Sequence, residues 1–104
     1  MHLLELKLPW TQIQDEDDLV ALQEELDKEI GPNHKLWALV PKVIGRRVDM
    51  DDVLVRLSDS RVASVHLVWN GRASQLESNF PSSKIFATES EFLVEMNFEA
   101  EVYE

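Results

Sequence analysis

Apolar positions along the chain change rhythm several times, and each rhythm predicts an element. From His2 to Leu8 they alternate, with Leu4, Leu6 and Leu8 on one parity and Glu5 and Lys7 on the other. That is the period of a half-buried strand. Leu3 breaks the alternation, and Pro9, with no backbone N–H to donate, marks where pairing should stop. Between Thr11 and Ile30 the period lengthens. Leu19, Leu22, Leu26 and Ile30 recur at steps of three and four with Val20 beside them, the pattern of an amphipathic helix. Asp15 can cap it, and the Asp15–Asp18 cluster lies where the helix dipole favours negative charge. Thr11–Gln14 offers an alternative capping box one turn earlier. Glu24 and Lys28 are spaced as a favourable helical pair. Gly31–Pro32 ends the helix.

The stretch from His34 to Val48 is mixed. Leu36, Val40, Val43 and Ile44 would fit a helical face, but Pro41 removes a donor and Gly45 disfavours helix. A strand from Lys42 to Arg47 after a loop or short turn fits better. Val53, Val55 and Leu57 then alternate with Leu54 and Arg56, and Ser58-Asp59-Ser60 supplies turn chemistry. Val62 to Trp69 follows as a β-branched strand closed by Asn70–Gly71, a favoured turn pair. Both parities of that strand are largely apolar, which predicts a central strand covered on both faces. A polar connection, Arg72 to Ser83, leads to a short edge strand at Lys84–Ala87. Thr88-Glu89-Ser90-Glu91 is a capping-box pattern, and Phe92, Leu93 and Met96 give the next helix its apolar face. Asn97 to Glu104 extends that helix, adds an edge strand, or frays. The order β-α-β-β-β-(β)-α predicts a single α+β domain over residues 1–104, with a mostly antiparallel sheet of about four to five strands and two helices.

Composition narrows the chemistry. The chain has no cysteine, so disulfides and thiolate metal sites are excluded and a reducing cytoplasm is the expected compartment. No apolar run is long enough to span a bilayer, and charges interrupt the first ten residues where a signal peptide would be apolar. His2, His34 and His66 lack metal-site spacing. His34 reads as a solvated loop residue and His66 as a buried histidine of the central strand. Asp49, Asp51 and Asp52 fail the calcium-loop pattern, because counting from Asp49 places Val53, Leu54 and Ser60 where a ligand, a glycine and a glutamate are needed. An aspartate-stabilised turn is the reading that remains. No glycine-flanked serine elbow or phosphate-cradling glycine loop is present. The expectation is a non-enzyme without cofactor or metal. Trp10, Trp37 and Phe80 are expected in the core, where loops fold over the sheet.

Charge is the most informative feature. The whole chain carries −10, which disfavours direct nucleic-acid binding. Thr11–Ile30 holds eight acids against one base, and Ile85–Glu104 six acids against none. If both helices packed on one face of the sheet, they would present one broad negative field. Such a field accelerates encounter with a cationic partner. Surface acidity also confers solubility without any partner.

Asp51-Asp52-Val53-Leu54-Val55-Arg56-Leu57, followed by Val62-Ala63-Ser64-Val65-His66-Leu67-Val68-Trp69-Asn70-Gly71 and later Pro81–Phe86 before a helix, resembles small uncharacterised bacterial α+β proteins. That resemblance covers about half the chain and implies fold, not activity. In size, acidity and lack of catalytic motifs the chain also resembles immunity proteins of contact-dependent growth inhibition and related polymorphic toxin systems. Those are cytoplasmic antitoxins that each bind one cognate toxin. This resemblance implies a bacterial inhibitor of a basic toxin domain, foremost a nuclease. The expected partner-binding residues are Asp15, Glu16, Asp17, Asp18, Glu24 and Glu25, with Glu89, Glu91 and Glu95 second. Three alternatives stand beside it: a phage or mobile-element nucleic-acid mimic that blocks a host DNA-binding protein, a small hydrolase using His66 with a carboxylate such as Asp52, and a plain structural subunit.

Overall fold

The computed structural model describes residues 5–69 and 81–103. Five strands form one antiparallel sheet in the spatial order β1-β2-β3-β4-β5. They are β1 (Trp10–Gln12), β2 (Lys42–Arg47), β3 (Asp52–Arg56), β4 (Val62–His66) and β5 (Ser83–Phe86). Helix α1 (Glu16–Glu29) connects β1 to β2, and α2 (Glu89–Tyr103) follows β5. The protein is thus α+β in the order β-α-β-β-β-β-α.

Strands β3 and β4 organise the rest. Val53, Leu54 and Val55 are all buried, as are Val62, Ala63 and Val65. Alternate residues of a strand point to opposite faces, so both faces of this pair need apolar cover. One core joins Val53, Val55, Ala63 and Val65 to Leu22 and Leu26 of α1 and to Ile30 at its C-terminal cap. The other joins Leu54, Val62 and Phe86 to Trp10 and to Phe92 and Met96 of α2. Each face of the sheet therefore carries one helix. The two acidic segments do not share a face, and the sheet stands between them.

Local signals explain most element ends. The Asp15 side chain accepts the Asp17 N–H at 2.8 Å, so the helix starts there and the Thr11–Gln14 alternative is not used. The Glu91 N–H donates to Thr88 Oγ1 and Glu91 Oε2 accepts the Ala87 N–H, both at 3.2 Å, a capping box that starts α2. The residues after Asn97 continue this helix to Tyr103. Asp59 turns the β3–β4 hairpin by accepting the Arg61 N–H at 3.1 Å. A 3-10 turn, Trp37–Leu39, precedes β2. Where β2 is irregular between Val43 and Gly45, a Cβ on Gly45 would lie 2.6 Å from a Leu6 methyl and 3.2 Å from the Thr11 carbonyl oxygen. A larger residue would have to push the Leu6 side chain aside and crowd the β1 backbone, so glycine suits this close approach.

Several expectations are corrected. Among the described residues the first strand lies after Pro9, not before it: residues 5–7 have no regular structure, and Trp10 pairs with Arg47. Burial of Trp10 against Phe92, ring centroids 5.7 Å apart, outweighs the leucine alternation that points to His2–Leu8. Strand β4 ends at His66 rather than Trp69: Leu67 N–H still reaches the Asp51 carbonyl opposite it, but the Val68 and Trp69 N–H groups leave the sheet for the Glu29 carboxylate. His34 is buried, not solvated: its Nδ1 accepts the Leu36 N–H and its Nε2 donates to the Pro81 carbonyl at 2.8 Å. Trp10 is core as expected, but Trp37 is half-exposed. His2, Phe80, the Asn70–Gly71 turn and most of the Arg72–Ser83 connection lie outside the described residues.

Candidate partner-binding surface

The sequence-predicted acidic residues divide into two electrostatic classes. On α2, Glu95 pairs with Lys84 of β5 at 2.6 Å and Glu89 lies 3.5 Å from Arg56 of β3. Glu99 pairs with Arg47 of β2, which also holds Asp49 at 2.7 Å. Glu91 is occupied as the capping-box carboxylate. The sheet's basic residues thus absorb much of the charge of α2. The contacts show in the titration of these groups: Glu95 raises the pKa of Lys84, and Arg47 lowers that of Asp49.

On α1 the pattern is reversed. Asp15, Glu16, Asp17, Asp18 and Glu24 are exposed, and none forms an ion pair among the described residues. Glu16, Val20, Gln23 and Asp27 recur at helical spacing and so line one flank of α1. That flank borders a cleft of about 320 Å³ lined by Asp27, Ile30, Trp37, Val40, Pro41 and Lys42. Gln23 fixes the cleft wall. Its Nε2 donates to Pro41 O at 3.1 Å and to Asp27 Oδ1 at 3.0 Å, while its Oε1 accepts the Val43 N–H at 2.8 Å. Val40 has φ 48° and ψ 65°, the left-handed region that a β-branched residue rarely occupies. Its side chain is half-exposed at the cleft, beside Trp37. A strained residue and an exposed tryptophan at a cleft are features of binding sites.

The other flank of α1 holds Asp18, Glu25 and Glu29. Glu29 is buried and accepts the Val68 and Trp69 N–H groups, both at 2.9 Å, so it anchors the chain leaving β4. Burial pushes its carboxyl up to about 7, helped by a hydrogen bond with Glu25, while the two backbone donors pull the other way. Trp69, held at φ 57°, is half-exposed.

The histidine alternative has its own geometry. Asp52 and His66 are cross-strand partners, and His66 Nδ1 lies 2.6 Å from Asp52 Oδ1. His66 is exposed, not buried as the apolar strand pattern implied, because the face of β4 it shares with Val62 and Ser64 extends beyond the cover of α2. The cleft beside α1 lies on the opposite face of the sheet. Among the described residues no group of three His, Asp or Glu is arranged to hold a metal ion, and no helix is long and apolar enough to cross a membrane. Compared with protein-family models, curated proteins and solved structures, the chain matches none.

Asp27, Gln23 and Val40 were not legible as site residues, since their role depends on Pro41 and Trp37 folding back on α1. Glu29 carried a signal: it stands seven residues after Leu22 and three after Leu26, on the buried stripe.

Glu29 sets a pH dependence. Its carboxyl binds a proton more tightly in the folded chain, about 7 against an ordinary 4.5, so folding takes up a proton between those values. Stability should therefore fall as pH rises through that window, by up to about 3 kcal/mol. Urea unfolding at intervals from pH 4.5 to 7 should show this fall, and Glu29→Gln should flatten it. The variant should also be less stable at the acid end, because glutamine offers one acceptor oxygen to two backbone donors.

Proposed function

We propose that the protein is a binding inhibitor of the immunity-protein type, which neutralises a basic toxin domain, foremost a nuclease, in the bacterial cytoplasm. The observation that carries this reading is a helix, α1, whose Asp15, Glu16, Asp17, Asp18 and Glu24 form no ion pair among the described residues and whose C-terminal end borders the Trp37–Val40 cleft. These carboxylates are available to lysines and arginines around a phosphate-binding groove, which must be cationic to hold its substrate. Trp37 and Val40 supply an apolar anchor point at the edge of that field, so docking need not rest on charge alone. Glu89 and Glu95, already paired with Arg56 and Lys84, move to a minor role. A nucleic-acid mimic would need a phosphate-like row of charge on one face, and the division of acids across the sheet favours it less.

Affinity capture from source-cell lysate at low salt, eluted by a salt gradient, should recover a basic nuclease that is inactive until released. With that partner in hand, Asp17→Lys with Glu24→Lys should slow association by about tenfold or more at low ionic strength. Glu5→Lys with Asp51→Lys makes the same net-charge change elsewhere and should have a much smaller effect. Equal slowing by both pairs, or by neither, would contradict docking through α1.

The Asp52–His66 contact supports a second reading, a hydrolase in which the aspartate orients the imidazole and leaves Nε2 as the base. His66→Gln should abolish any turnover while leaving stability within about 1 kcal/mol, since the ring is exposed. Hydrolytic activity that survives the substitution would remove this reading.

A further inference from the structure

Helix α2 is apolar on two opposite sides, and only one of them faces the sheet. Phe92 and Met96 are 1% exposed against Trp10, Leu54 and Phe86. Facing away, Val94, Phe98 and Val102 are 70%, 66% and 72% exposed, more than any other large apolar side chains among the described residues. A spacing of four stacks them in a single stripe about 12 Å long on the helix surface. A helix built only for solubility would carry polar residues there, as α1 does at Asp17 and Glu24. The rims of the stripe carry two exposed acids, Glu91 and Glu101, while Glu95 alongside is held by Lys84. The chain from Ile85 onward contains no lysine or arginine.

Those rims decide between occupants. A second copy packed antiparallel about Phe98 would set Val94 against Val102, but Glu101 would then face Glu95, whose Lys84 partner is already engaged, so Glu101 gains no free cation there. Like charges meeting at the edge of an apolar contact oppose association, and each copy already carries −10. A helix with its own apolar stripe flanked by lysine or arginine satisfies both the stripe and its rims. We propose that the outward face of α2 is a second docking surface, one that receives a cationic amphipathic helix of a partner protein. It lies across the sheet from α1, so both surfaces can be occupied at once, and it does not depend on the inhibitor reading.

The test uses the full chain and a synthetic amphipathic helical peptide of leucine and lysine, titrated by calorimetry at moderate salt. The wild-type protein should bind one peptide per chain and sediment as a monomer. Replacing Val94, Phe98 and Val102 together by alanine, the best helix former, alters only exposed positions and should weaken binding by about tenfold or more. Phe98→Ala alone should give an intermediate loss, which guards against a fold defect in the triple variant. Asp17→Lys with Glu24→Lys on α1 should change the affinity by less than about threefold, the size of a remote charge effect. The proposal is overturned if the wild type shows no saturable binding or if the triple variant binds as well as the wild type. It is equally overturned if the α1 variant loses affinity as strongly as the triple variant. A wild-type dimer that the triple variant converts to monomer would overturn it too, by showing that a second copy covers the stripe.

Discussion

The pairing of β3 with β4 makes the central demand of this structure. Val53, Leu54 and Val55 are consecutive and all buried, as are Val62 and Ala63 on the neighbouring strand. A strand with consecutive buried residues has no solvent face, so a layer must be laid on each side. Burying a side chain of this size contributes about 1.5–3 kcal/mol, which makes the double cover the dominant constraint on where α1 and α2 go. Trp10, Phe86 and Phe92 meet edge to face in the α2 layer, with ring centroids 5.7 and 5.3 Å apart. Leu22, Leu26 and Ile30 fill the α1 layer.

The placement of charge follows from that packing. Helix α2 lies over the face that displays Arg47, Arg56 and Lys84, and its glutamates find them. Exposed pairs of this kind contribute about 0–1 kcal/mol each, so their consequence is less for stability than for the field outside the molecule. They cancel charge on one side of the sheet and leave it uncancelled on the other. Asp15, Glu16, Asp17, Asp18 and Glu24, which form no ion pair among the described residues, lie on α1. The C-terminal end of that helix borders a cleft whose wall Gln23 pins and whose mouth carries a strained valine and an exposed tryptophan. On the far side α2 keeps an outward apolar stripe. The sheet therefore separates a mainly electrostatic surface from a mainly apolar one.

Much of the fold was legible because its determinants are local. Asp15 as cap, the Thr88–Glu91 box, the turn at Asp59 and the strands beginning at Lys42 and Val62 all rest on residues within a few positions of one another. The two apolar parities of β4 also announced cover on both faces, though not which element supplies each. What sequence could not show depends on distant contacts. Strand β1 forms at Trp10 because Arg47 and Phe92 receive that ring, although the leucines before Pro9 alternate more regularly. His34 is buried by a carbonyl 47 residues away, and nothing beside it signals this. The candidate surface was half visible: net charge identified α1, but the cleft arises only when Pro41 and Trp37 fold against Asp27. The pairing of Glu89 and Glu95 with bases on other strands likewise had no local sign.

The account stands on the two acidic helices lying on opposite faces of the sheet. The chain has no native cysteine, so Ala21→Cys with Val94→Cys places one spin label on the exposed side of each helix. Two helices packed on one face run about 8–10 Å apart, whereas a sheet between them roughly doubles that spacing before the outward reach of the labels is added. The account predicts a single narrow distance distribution centred beyond about 25 Å, given those spacings. A distribution centred near about 10–15 Å, the separation of neighbouring helices, would contradict it.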